Sequence, residues 1–415
     1  MVYKNILFVK SRMVYDFLEE HMKEVAVVGC TDYEYSAVLA SLREAIEAVG
    51  GLDGVKSGMR VAIKANLVAS AAPEKATTTH PAILCALTEL LKERGAEVVI
   101  GDSPGGLYNG IFLEKIYKNS GVLECERFGA ELNRDFSESQ AVFEEGKIAK
   151  TFTYTGYLDN TDMIINACKL KTHGMMGLSC AAKNIFGVIP GTMKPEYHFR
   201  YPSYEAFADM LVDLNEYFKP ELSVCDAIVG MEGNGPTAGK PRSIGCILVS
   251  KNPHKLDVVA ADIIGLSKDT VPTLAAAVSR GLTPPDPHLI DIYGDHKKYH
   301  VSDYENIAVK RSLLFKGNSD NVLKNMFGGF AKIVLNSRPK LKKKLCIGCN
   351  KCGNICPAKA IVIKDKKAVI DRDLCIRCFC CQEFCPTGAM KVHRTWLARV
   401  LEGGNRRKSN KQKKN

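Results

Sequence analysis

Short apolar runs alternate with amphipathic segments along most of this chain. The runs VAVVGC, VAIKANLV and EVVIG have the length of buried strands, and each is followed by a polar or glycine-rich stretch. Between them, apolar residues fall on one helical face of YSAVLASLREAIEAVG: Val38, Leu39, Leu42 and Ile46. Strands that alternate with helices predict an α/β domain over about residues 24–300, with a mostly parallel sheet and flanking helices.

Two copies of one cysteine motif follow this region. CIGCNKCGNICP begins at Cys346, and CIRCFCCQEFCP begins 29 positions later at Cys375. Each copy reads C-x2-C-x2-C-x3-C-P, in which three cysteines bind one [4Fe–4S] cluster and the fourth binds the other. This crossing predicts two [4Fe–4S] clusters, the first held by Cys346, Cys349, Cys352 and Cys385, and the second by Cys375, Cys378, Cys381 and Cys356.

The alternative for these cysteines is a zinc site. Zinc ribbons use two C-x2-C pairs and stop at four thiolates, whereas this chain has two triplets and two distant Cys-Pro pairs. Cys380 is out of register and is predicted not to bind a cluster, and AIVIKDKKAVIDRDL predicts two short strands around a polar turn. Residues 345–392 are therefore predicted to form a small α+β dicluster ferredoxin domain that passes single electrons.

The remaining cysteines stand singly among apolar residues. In a reducing compartment they are predicted to be small buried hydrophobes rather than disulfides. They are Cys30, Cys85, Cys125, Cys168, Cys180, Cys225 and Cys246.

The net charge of +11 is concentrated in two segments. Residues 391–415 contain nine Lys or Arg and one Glu, and residues 332–344 contain six Lys or Arg and no acid. A tail at 393–415 is therefore predicted to be disordered, and either to aid solubility or to contact an acidic redox partner or an anionic membrane surface. Nucleic acid is not expected as a partner, because no aromatic residue interleaves with these charges.

The regions outside the two domains carry no strong signal. The first 23 residues are too charged for a secretory signal, and no apolar run reaches the length of a membrane span, so a cytoplasmic protein is expected. Residues 301–344 are predicted to be an irregular connector that includes the basic segment. Its stretch NVLKNMFGGFAKIVL is amphipathic, and packing on its own protein is favoured over contact with a membrane surface.

Polar residues follow four of the predicted strands, where ligands bind in open α/β sheets. Lys169, Lys171 and His173 alternate along one extended segment, so they are predicted to share a face that binds a carboxylate or phosphate. The alternative for any one of them is the wet face of an edge strand. The other candidate substrate-binding or catalytic residues are Lys64, Asn66, Asp102, Asn166, Lys183, Glu232 and Asn234.

Two familiar nucleotide motifs are not supported. GNGPTAGKP fails the phosphate-loop pattern, because Asn234 stands at the first glycine position and Pro241 replaces the Ser or Thr. No G-x-G-x-x-G follows any predicted strand, so a nicotinamide or flavin site of that type has no support. His80, in TTTHP, is predicted to lie in a loop before a helix that starts at Pro81 rather than to bind a metal.

Seven segments in order resemble one family. KANLV, TTTHP, GDSPGG, INACKLKTHG, AAKNIFGVIPG, CDAIVGMEGNGPTAGKP and LDVVAADIIGL are similar to the domain-of-unknown-function family numbered three hundred and sixty-two, which is often joined to iron–sulfur modules. Ala65 and Cys168 stand where the family usually has proline. The resemblance implies the fold and the fusion, and it implies no reaction.

Two classes of function follow from these patterns. In the first, the protein is an iron–sulfur oxidoreductase that passes electrons to or from a small anionic substrate or cofactor in the α/β domain. Lysines would hold the anion, His173 would transfer a proton, and Asp102 and Glu232 would orient partners or bind a metal. In the second, it is a non-enzymatic electron carrier or maturation factor that docks on a larger redox complex. Convergence of the polar residues on one pocket would favour the first.

Overall fold

The structure, a computed structural model, describes residues 22–307 and 337–393. The first 21 residues, the amphipathic stretch at 321–335 and the basic tail from residue 394 onward lie outside these ranges. Within the described ranges, no helix is both long enough and apolar enough to cross a bilayer.

Fifteen strands are found in the described residues. In chain order they are β1 (Val25–Gly29), β2 (Arg60–Lys64), β3 (Glu97–Gly101), β4 (Ala130–Leu132), β5 (Glu138–Val142), β6 (Thr151–Thr155), β7 (Met163–His173), β8 (Gly177–Ser179), β9 (Leu222–Glu232), β10 (Lys240–Ser250), β11 (Ile292–Tyr293), β12 (Arg338–Leu341), β13 (Ile361–Lys364), β14 (Lys367–Ile370) and β15 (Met390–His393).

Ten α-helices lie between or beside these strands in the described ranges. They are α1 (Tyr35–Ala48), α2 (Pro81–Lys92), α3 (Gly110–Ser120), α4 (Ala181–Asn184), α5 (Lys194–Arg200), α6 (Tyr204–Phe218), α7 (Pro253–Ile263), α8 (Pro272–Ser279), α9 (Lys351–Asn354) and α10 (Cys380–Glu383).

One nine-stranded sheet organises the large domain. Its order is β11-β1-β10-β9-β7-β2-β3-β4, with β8 paired to β7. The strands β9, β7, β2, β3 and β4 run parallel to one another, whereas β10 is antiparallel to both β1 and β9, and β8 is antiparallel to β7. The predicted α/β class with a mostly parallel sheet is confirmed.

Helices cover both faces of this sheet. Val61 and Ile63 of β2 pack with α1, α2 and α3 on one side, whereas Ala62 packs with α6 and α8 on the other. Because both faces are buried, the central strands read as continuous apolar runs, which is the pattern of a parallel sheet. The helix α7 covers a third cluster over β1, β9 and β10.

The ferredoxin domain consists of two small antiparallel sheets and two short helices. The hairpin of β13 and β14 lies between the cysteine repeats, where two short strands were predicted. The strand β12 pairs with β15, so the domain includes residues from Arg338 onward that the sequence pattern assigns to the connector. Its first strand escaped prediction because RPKL is short and has two basic residues.

The ferredoxin domain packs on the large domain at the carboxyl ends of the sheet strands. Gln382 Nε2 donates hydrogen bonds of 2.9 Å to the carbonyl oxygens of Asn234 and Gly235. Phe384 lies against Gly105, where any side chain in place of the glycine would overlap the Phe384 ring. The short α10 therefore lies over the sheet edge at which α/β proteins bind ligands.

Candidate functional site

A cavity of about 450 Å³ lies between the carboxyl edge of the sheet and the ferredoxin domain. Its floor includes residues at the ends of β2, β3 and β7, and its roof includes Cys380 and Glu383 of α10. Five residues predicted as candidates line it: Asn66, Asp102, Lys171, His173 and Lys183.

Lys64 lies beneath the cavity in a buried ion pair. Its Nζ is 2.7 Å from Asp102 Oδ1 and donates a 2.7 Å hydrogen bond to the carbonyl oxygen of Ala65. Asp102 Oδ2 accepts a 2.6 Å hydrogen bond from the backbone N–H of Leu67. Burial lowers the pKa of Lys64, and the adjacent Asp102 opposes this. Any side chain at Gly187 would overlap this pair, so glycine permits the close approach.

Lys171 is fully buried and faces the cavity without a carboxylate partner. Its Nζ donates hydrogen bonds of 2.6 Å to Asn66 Oδ1 and 2.7 Å to the carbonyl oxygen of Thr77. Burial, together with the nearby ammonium groups of Lys183 and Lys169, lowers its pKa to about 7. This lysine therefore gains or loses its charge near neutral pH.

His173 and Glu383 meet across the domain boundary. His173 Nδ1 accepts hydrogen bonds from the backbone N–H groups of Met175 and Met176, which leaves the ring hydrogen on Nε2. Nε2 is 2.9 Å from Glu383 Oε1, although the two groups are not aligned for a good hydrogen bond. Burial lowers the pKa of His173, so the imidazole is neutral. Burial alone would raise the pKa of Glu383, but the adjacent His173 ring and the Lys183 ammonium lower it.

Two more lysines approach the cavity. Lys183 Nζ lies over the Phe186 ring at 4.6 Å from its centroid, and in the described part of the chain it has no hydrogen-bond acceptor or ion pair. Burial lowers its pKa, and Glu383 opposes this. Lys194 Nζ donates to the carbonyl oxygens of Ser103 and Ile189, and burial lowers its pKa to about 7.

His198 adds an unsatisfied polar group to the same wall. Its ring stacks on Phe207 with centroids 4.3 Å apart, and its Nδ1 is buried with no partner among the described residues. Burial lowers its pKa to about 3, so the ring is neutral. A buried nitrogen of this kind usually has a partner in a folded protein, so a ligand or water is expected beside it.

Four predicted candidates lie away from the cavity. Lys169 Nζ forms a buried ion pair of 2.7 Å with Asp226, because Asp226 is its register partner on the parallel strand β9. Asn166 accepts a hydrogen bond from Asn184 behind the wall. Glu232 accepts from the backbone N–H of Glu305, and Asn234 contacts the ferredoxin backbone at Met390.

The eight motif cysteines form two groups. The thiols of Cys346, Cys349 and Cys352 line one small cavity together with Cys385 from the other repeat. Burial raises the pKa of Cys375, and the neighbouring thiols of Cys378 and Cys356 raise it further, so Cys356 lies with the second triplet. Each group of four thiols is a donor set that a [4Fe–4S] cluster takes.

The fourth cysteines of the two groups have matching surroundings. Cys356 Sγ accepts a 3.3 Å hydrogen bond from the backbone N–H of Ala360, and Cys385 Sγ accepts a 3.1 Å bond from Ala389. In each case the donor lies four residues after the cysteine. Such N–H donors stabilise thiolates and adjust the potential of a bound cluster.

Cys380 lies inside the second repeat, is buried, and lines the cavity. Cys385 of the first cysteine group also lines the cavity, whereas none of the four cysteines of the second group does, so the first group reaches the cavity directly.

Three of the isolated cysteines meet in the core of the large domain. Cys168, Cys180 and Cys225 are all buried, and their sulfur atoms lie within 4.8 Å of one another. The sequence could not show this contact, because the three cysteines come from β7, the residue before α4, and β9. All seven isolated cysteines are buried, and none forms a disulfide.

The pattern of strand ends missed four residues of the cavity: Lys194, His198, Cys380 and Glu383. The first two follow a turn and not a strand, so the strand-end rule could not select them. The last two belong to the ferredoxin repeat, whose contact with the sheet is a tertiary feature. One signal was present in the sequence, since α10 carries Cys380 and Glu383 where α9 has Lys351 and Asn354.

Family models match the two domains separately. Residues 61–262 match the model "Domain of unknown function (DUF362)", and residues 345–389 match the model "4Fe-4S dicluster domain". Thylakoid-associated protein sll1697 from Synechocystis is 33% identical over 272 residues, which are 63% of this chain and 81% of that protein.

Solved structures resemble the chain only loosely. The lactate racemase apoprotein from Thermoanaerobacterium thermosaccharolyticum is 12% identical with a TM-score of 0.39, and the match covers 60% of this chain and 59% of that one. A protein from Thermotoga maritima is 13% identical with a TM-score of 0.33, over 52% of this chain and 55% of that one. The chain thus spans less than two thirds of either structure.

The dicluster match and the grouped thiols together support binding of [4Fe–4S] cofactor and a role in iron–sulfur electron transfer. The DUF362 match and the cyanobacterial relative identify the large domain but specify no substrate. The chain belongs to the DUF362 family and carries a 4Fe-4S dicluster domain within residues 345–389.

Proposed function

We propose that this protein passes single electrons, through two [4Fe–4S] clusters, to or from a small anionic substrate held between its two domains. The observation that carries the proposal is the position of α10. This helix belongs to the second cysteine repeat and also roofs the lysine-rich cavity.

The charge of the cavity favours an anion. Lys171 and Lys194 donate only to neutral oxygens, and Lys183 has no polar partner in the described ranges. Of the lining acids, Asp102 is already paired with Lys64, and only Glu383 remains to offset these three lysines of the interior; Lys115 and Lys351 also line the cavity but are exposed. A carboxylate or phosphate would supply the missing acceptors, and an anion with two negative charges would balance the surplus.

The same cavity has a group suited to proton transfer. His173 is neutral, carries its hydrogen on Nε2, and faces the ionised Glu383. Because Nδ1 is held by two backbone N–H groups and Nε2 already carries the hydrogen, the neutral ring can donate a hydrogen bond to a substrate from Nε2, and the Glu383 carboxylate beside it is the group that can accept a proton. The clusters, when bound in the two cysteine groups, supply or accept single electrons.

The alternative function is a non-enzymatic carrier or maturation factor that docks on a larger redox complex. The name of the cyanobacterial relative places that protein at the thylakoid, which favours a membrane-associated role for it. A carrier would not require the cavity lysines to bind a small molecule.

The test is retention and turnover of a small anion by the anaerobically prepared full chain. Mass spectrometry of the native protein, of Lys183→Met and of Lys56→Met would identify bound molecules. Lys56 is an exposed lysine before β2, at the opposite edge of the sheet, so its substitution is the matched control.

We expect native protein and the Lys56 variant to retain the same anion and the Lys183 variant to lose it. The retained anion should also reoxidise or reduce the clusters of native protein, followed by their visible absorbance. If no small molecule is retained, and neither inorganic phosphate nor succinate binds, the carrier function replaces this proposal.

A further inference from the structure

The two cysteine repeats have equivalent positions but different surroundings. A shift of 29 residues superimposes Asn350, Lys351, Gly353 and Asn354 on Phe379, Cys380, Gln382 and Glu383. In the second repeat these residues pack on the large domain: Phe379 joins an apolar cluster of its core, and Gln382 bonds its backbone. The first repeat has no such cover among the described residues.

The loop of the first repeat is exposed at its cysteines. Cys349 is the one exposed residue among the eight motif cysteines, and the side chain of Ile347 beside it is 65% exposed. Leu345 is also exposed, at 44%. Cys378 and Cys381 of the second repeat are buried. A cluster bound in the first group is therefore the closer one to solvent, and through Cys385 it also adjoins the cavity.

Lysines surround the exposed loop. Lys343 and Lys344 directly precede Leu345, and both are exposed. The backbone of Lys366 lies against Gly348, and Lys367 Nζ donates a 2.7 Å hydrogen bond to the carbonyl oxygen of Cys346. Residues 337–393 contain thirteen Lys or Arg against four Asp or Glu, an excess of nine positive charges before any cluster is bound.

We infer that this surface, formed by Lys343, Lys344, Leu345, Ile347, Cys349 and Lys366, docks an acidic one-electron carrier protein. The inference rests on the proposed function in assuming a cluster in each cysteine group, and it does not depend on the cavity substrate. The lysines of this surface attract an acidic partner over a long range. The exposed apolar side chains of Leu345 and Ile347 supply a small contact area. Small interfaces of this kind are typical of electron-transfer complexes.

The inference assigns the entry point of electrons to one of the two clusters. The docked carrier would exchange one electron at a time with the cluster of the exposed loop. The ligand Cys385 of that cluster lies in the cavity wall, so the electron could reach the cavity from there or pass to the cluster of the buried loop. No proton or group is transferred at the docking surface, and the carrier is the reductant or the oxidant of each step.

The test compares Lys343→Glu/Lys344→Glu with a control of equal charge change, Lys56→Glu/Lys92→Glu. Lys92 is exposed in the last turn of α2, and that end of the helix lies near Ser57, at the edge of the sheet opposite the ferredoxin domain. All proteins are used as anaerobic full chains with iron content measured. One readout is the affinity for an oxidised acidic ferredoxin, measured by calorimetry. Both proteins are oxidised in this measurement, so no electron passes between them.

The second readout is the rate at which that ferredoxin, once reduced, reduces the clusters. At low salt we expect the Lys343/Lys344 variant to lose at least tenfold in affinity and in rate, and the control to lose less than twofold. At 1 M salt, where the Debye length is about 3 Å, the difference should largely disappear. Reduction by the small donor methyl viologen, which needs no docking, should remain unchanged.

Equal rates and affinities for the two double variants would overturn the inference. So would a native protein that binds vesicles of equal parts phosphatidylglycerol and phosphatidylcholine through these lysines but shows no affinity for the ferredoxin, because the face would then be a membrane contact. If the Lys343/Lys344 variant fails to retain iron, the same measurements are made on Lys366→Glu. Lys366 lies in the turn of the β13–β14 hairpin, outside the loop that contains the cysteines.

Discussion

The two halves of the ferredoxin domain have the same cysteine spacing and opposite roles in the fold. The first repeat presents Cys349 and Ile347 to solvent, whereas the second inserts Phe379, Gln382 and Glu383 into the large domain. The cysteines cannot account for this difference, since they are matched. The residues between them decide which repeat packs on the sheet and which remains open.

This asymmetry shows how a two-cluster module becomes a connection between a surface and a buried site. The polar and small residues of the first repeat, Asn350, Lys351 and Gly353, suit an exposed helix. In the second repeat, the aromatic ring of Phe379, the amide of Gln382 and the carboxylate of Glu383 contact residues of the large domain. A symmetric module would have two equivalent faces and no preferred direction.

The largest expected effect is on iron content. Native protein prepared without oxygen should hold about eight iron and eight sulfide per chain. Because Cys385 lies with Cys346, Cys349 and Cys352, Cys385→Ala should lose about half of the iron, from the group of the opposite repeat. Iron and sulfide analysis with electron paramagnetic resonance would measure the loss and identify the remaining cluster.

Cys380→Ala is the control for this prediction. Cys380 is buried in α10, shortly before Cys385, but belongs to neither group of four, so the iron content of Cys380→Ala should equal that of native protein. A loss of half the iron from Cys380→Ala would show that the ligand register is wrong. Zinc in place of iron in native protein would contradict the cluster assignment itself.

The second prediction concerns the cavity beneath the buried repeat. Lys171→Met should weaken binding of the probe anions phosphate and succinate by about 30- to 100-fold, because a charge-assisted hydrogen bond is lost. The same substitution at Lys115, exposed at the cavity mouth, should cost less than about threefold. Calorimetric titration of both variants and native protein would measure the difference, and equal losses would contradict a specific role for Lys171.

Anion affinity should also depend on pH, with a definite sign. In the free protein the pKa of Lys171 is about 7, and a bound anion favours its charged form. Above pH 7 binding must therefore take up a proton, and affinity should fall by up to about tenfold per pH unit for each lysine involved. Lys194, with a pKa of about 7, adds to this slope. Lys171→Met should reduce the slope by one proton, and an unchanged slope would contradict the assignment.

The sequence supports the fold better than it supports the cavity. Apolar runs and helical periodicity gave β2, β3, β7 and α2, because these elements are buried and their patterns are local. The same patterns missed the β5–β6 hairpin and α3, which carry weaker apolar signals.

The prediction for the cavity was incomplete for two physical reasons. Lys169 was expected to hold the anion together with Lys171, but it pairs with Asp226, which lies opposite it in register on β9. A partner on a neighbouring strand cannot be read from strand alternation. Glu383 and Cys380 come from another domain, and nothing local to either segment shows that the two domains meet.

The third prediction compares equivalent positions in the two repeats. Glu383→Ala removes the carboxylate that contacts His173, whereas Asn354→Ala alters the matching exposed position. We expect a loss of about 2 kcal/mol in the free energy of unfolding for Glu383→Ala and less than about 0.5 kcal/mol for Asn354→Ala. Anaerobic denaturation followed by circular dichroism would measure both, and similar losses would mean that the domain contact adds little stability.

The smallest expected effect is that of the basic tail, which lies outside the described residues. Deletion of residues 404–415 removes six positive charges: Arg406, Arg407, Lys408, Lys411, Lys413 and Lys414. Iron content and thermal stability should remain unchanged, because no described contact depends on these residues.

If the exposed repeat is the docking surface, the tail can add only long-range attraction, which salt screens. Reduction by acidic ferredoxin should therefore slow by no more than about threefold at low salt and by nothing measurable at 1 M, well below the tenfold loss expected for Lys343→Glu/Lys344→Glu. Stopped-flow measurements on both proteins would rank the two effects. A larger loss from the tail deletion would make the tail the primary contact and leave the difference between the two repeats without a role in partner binding.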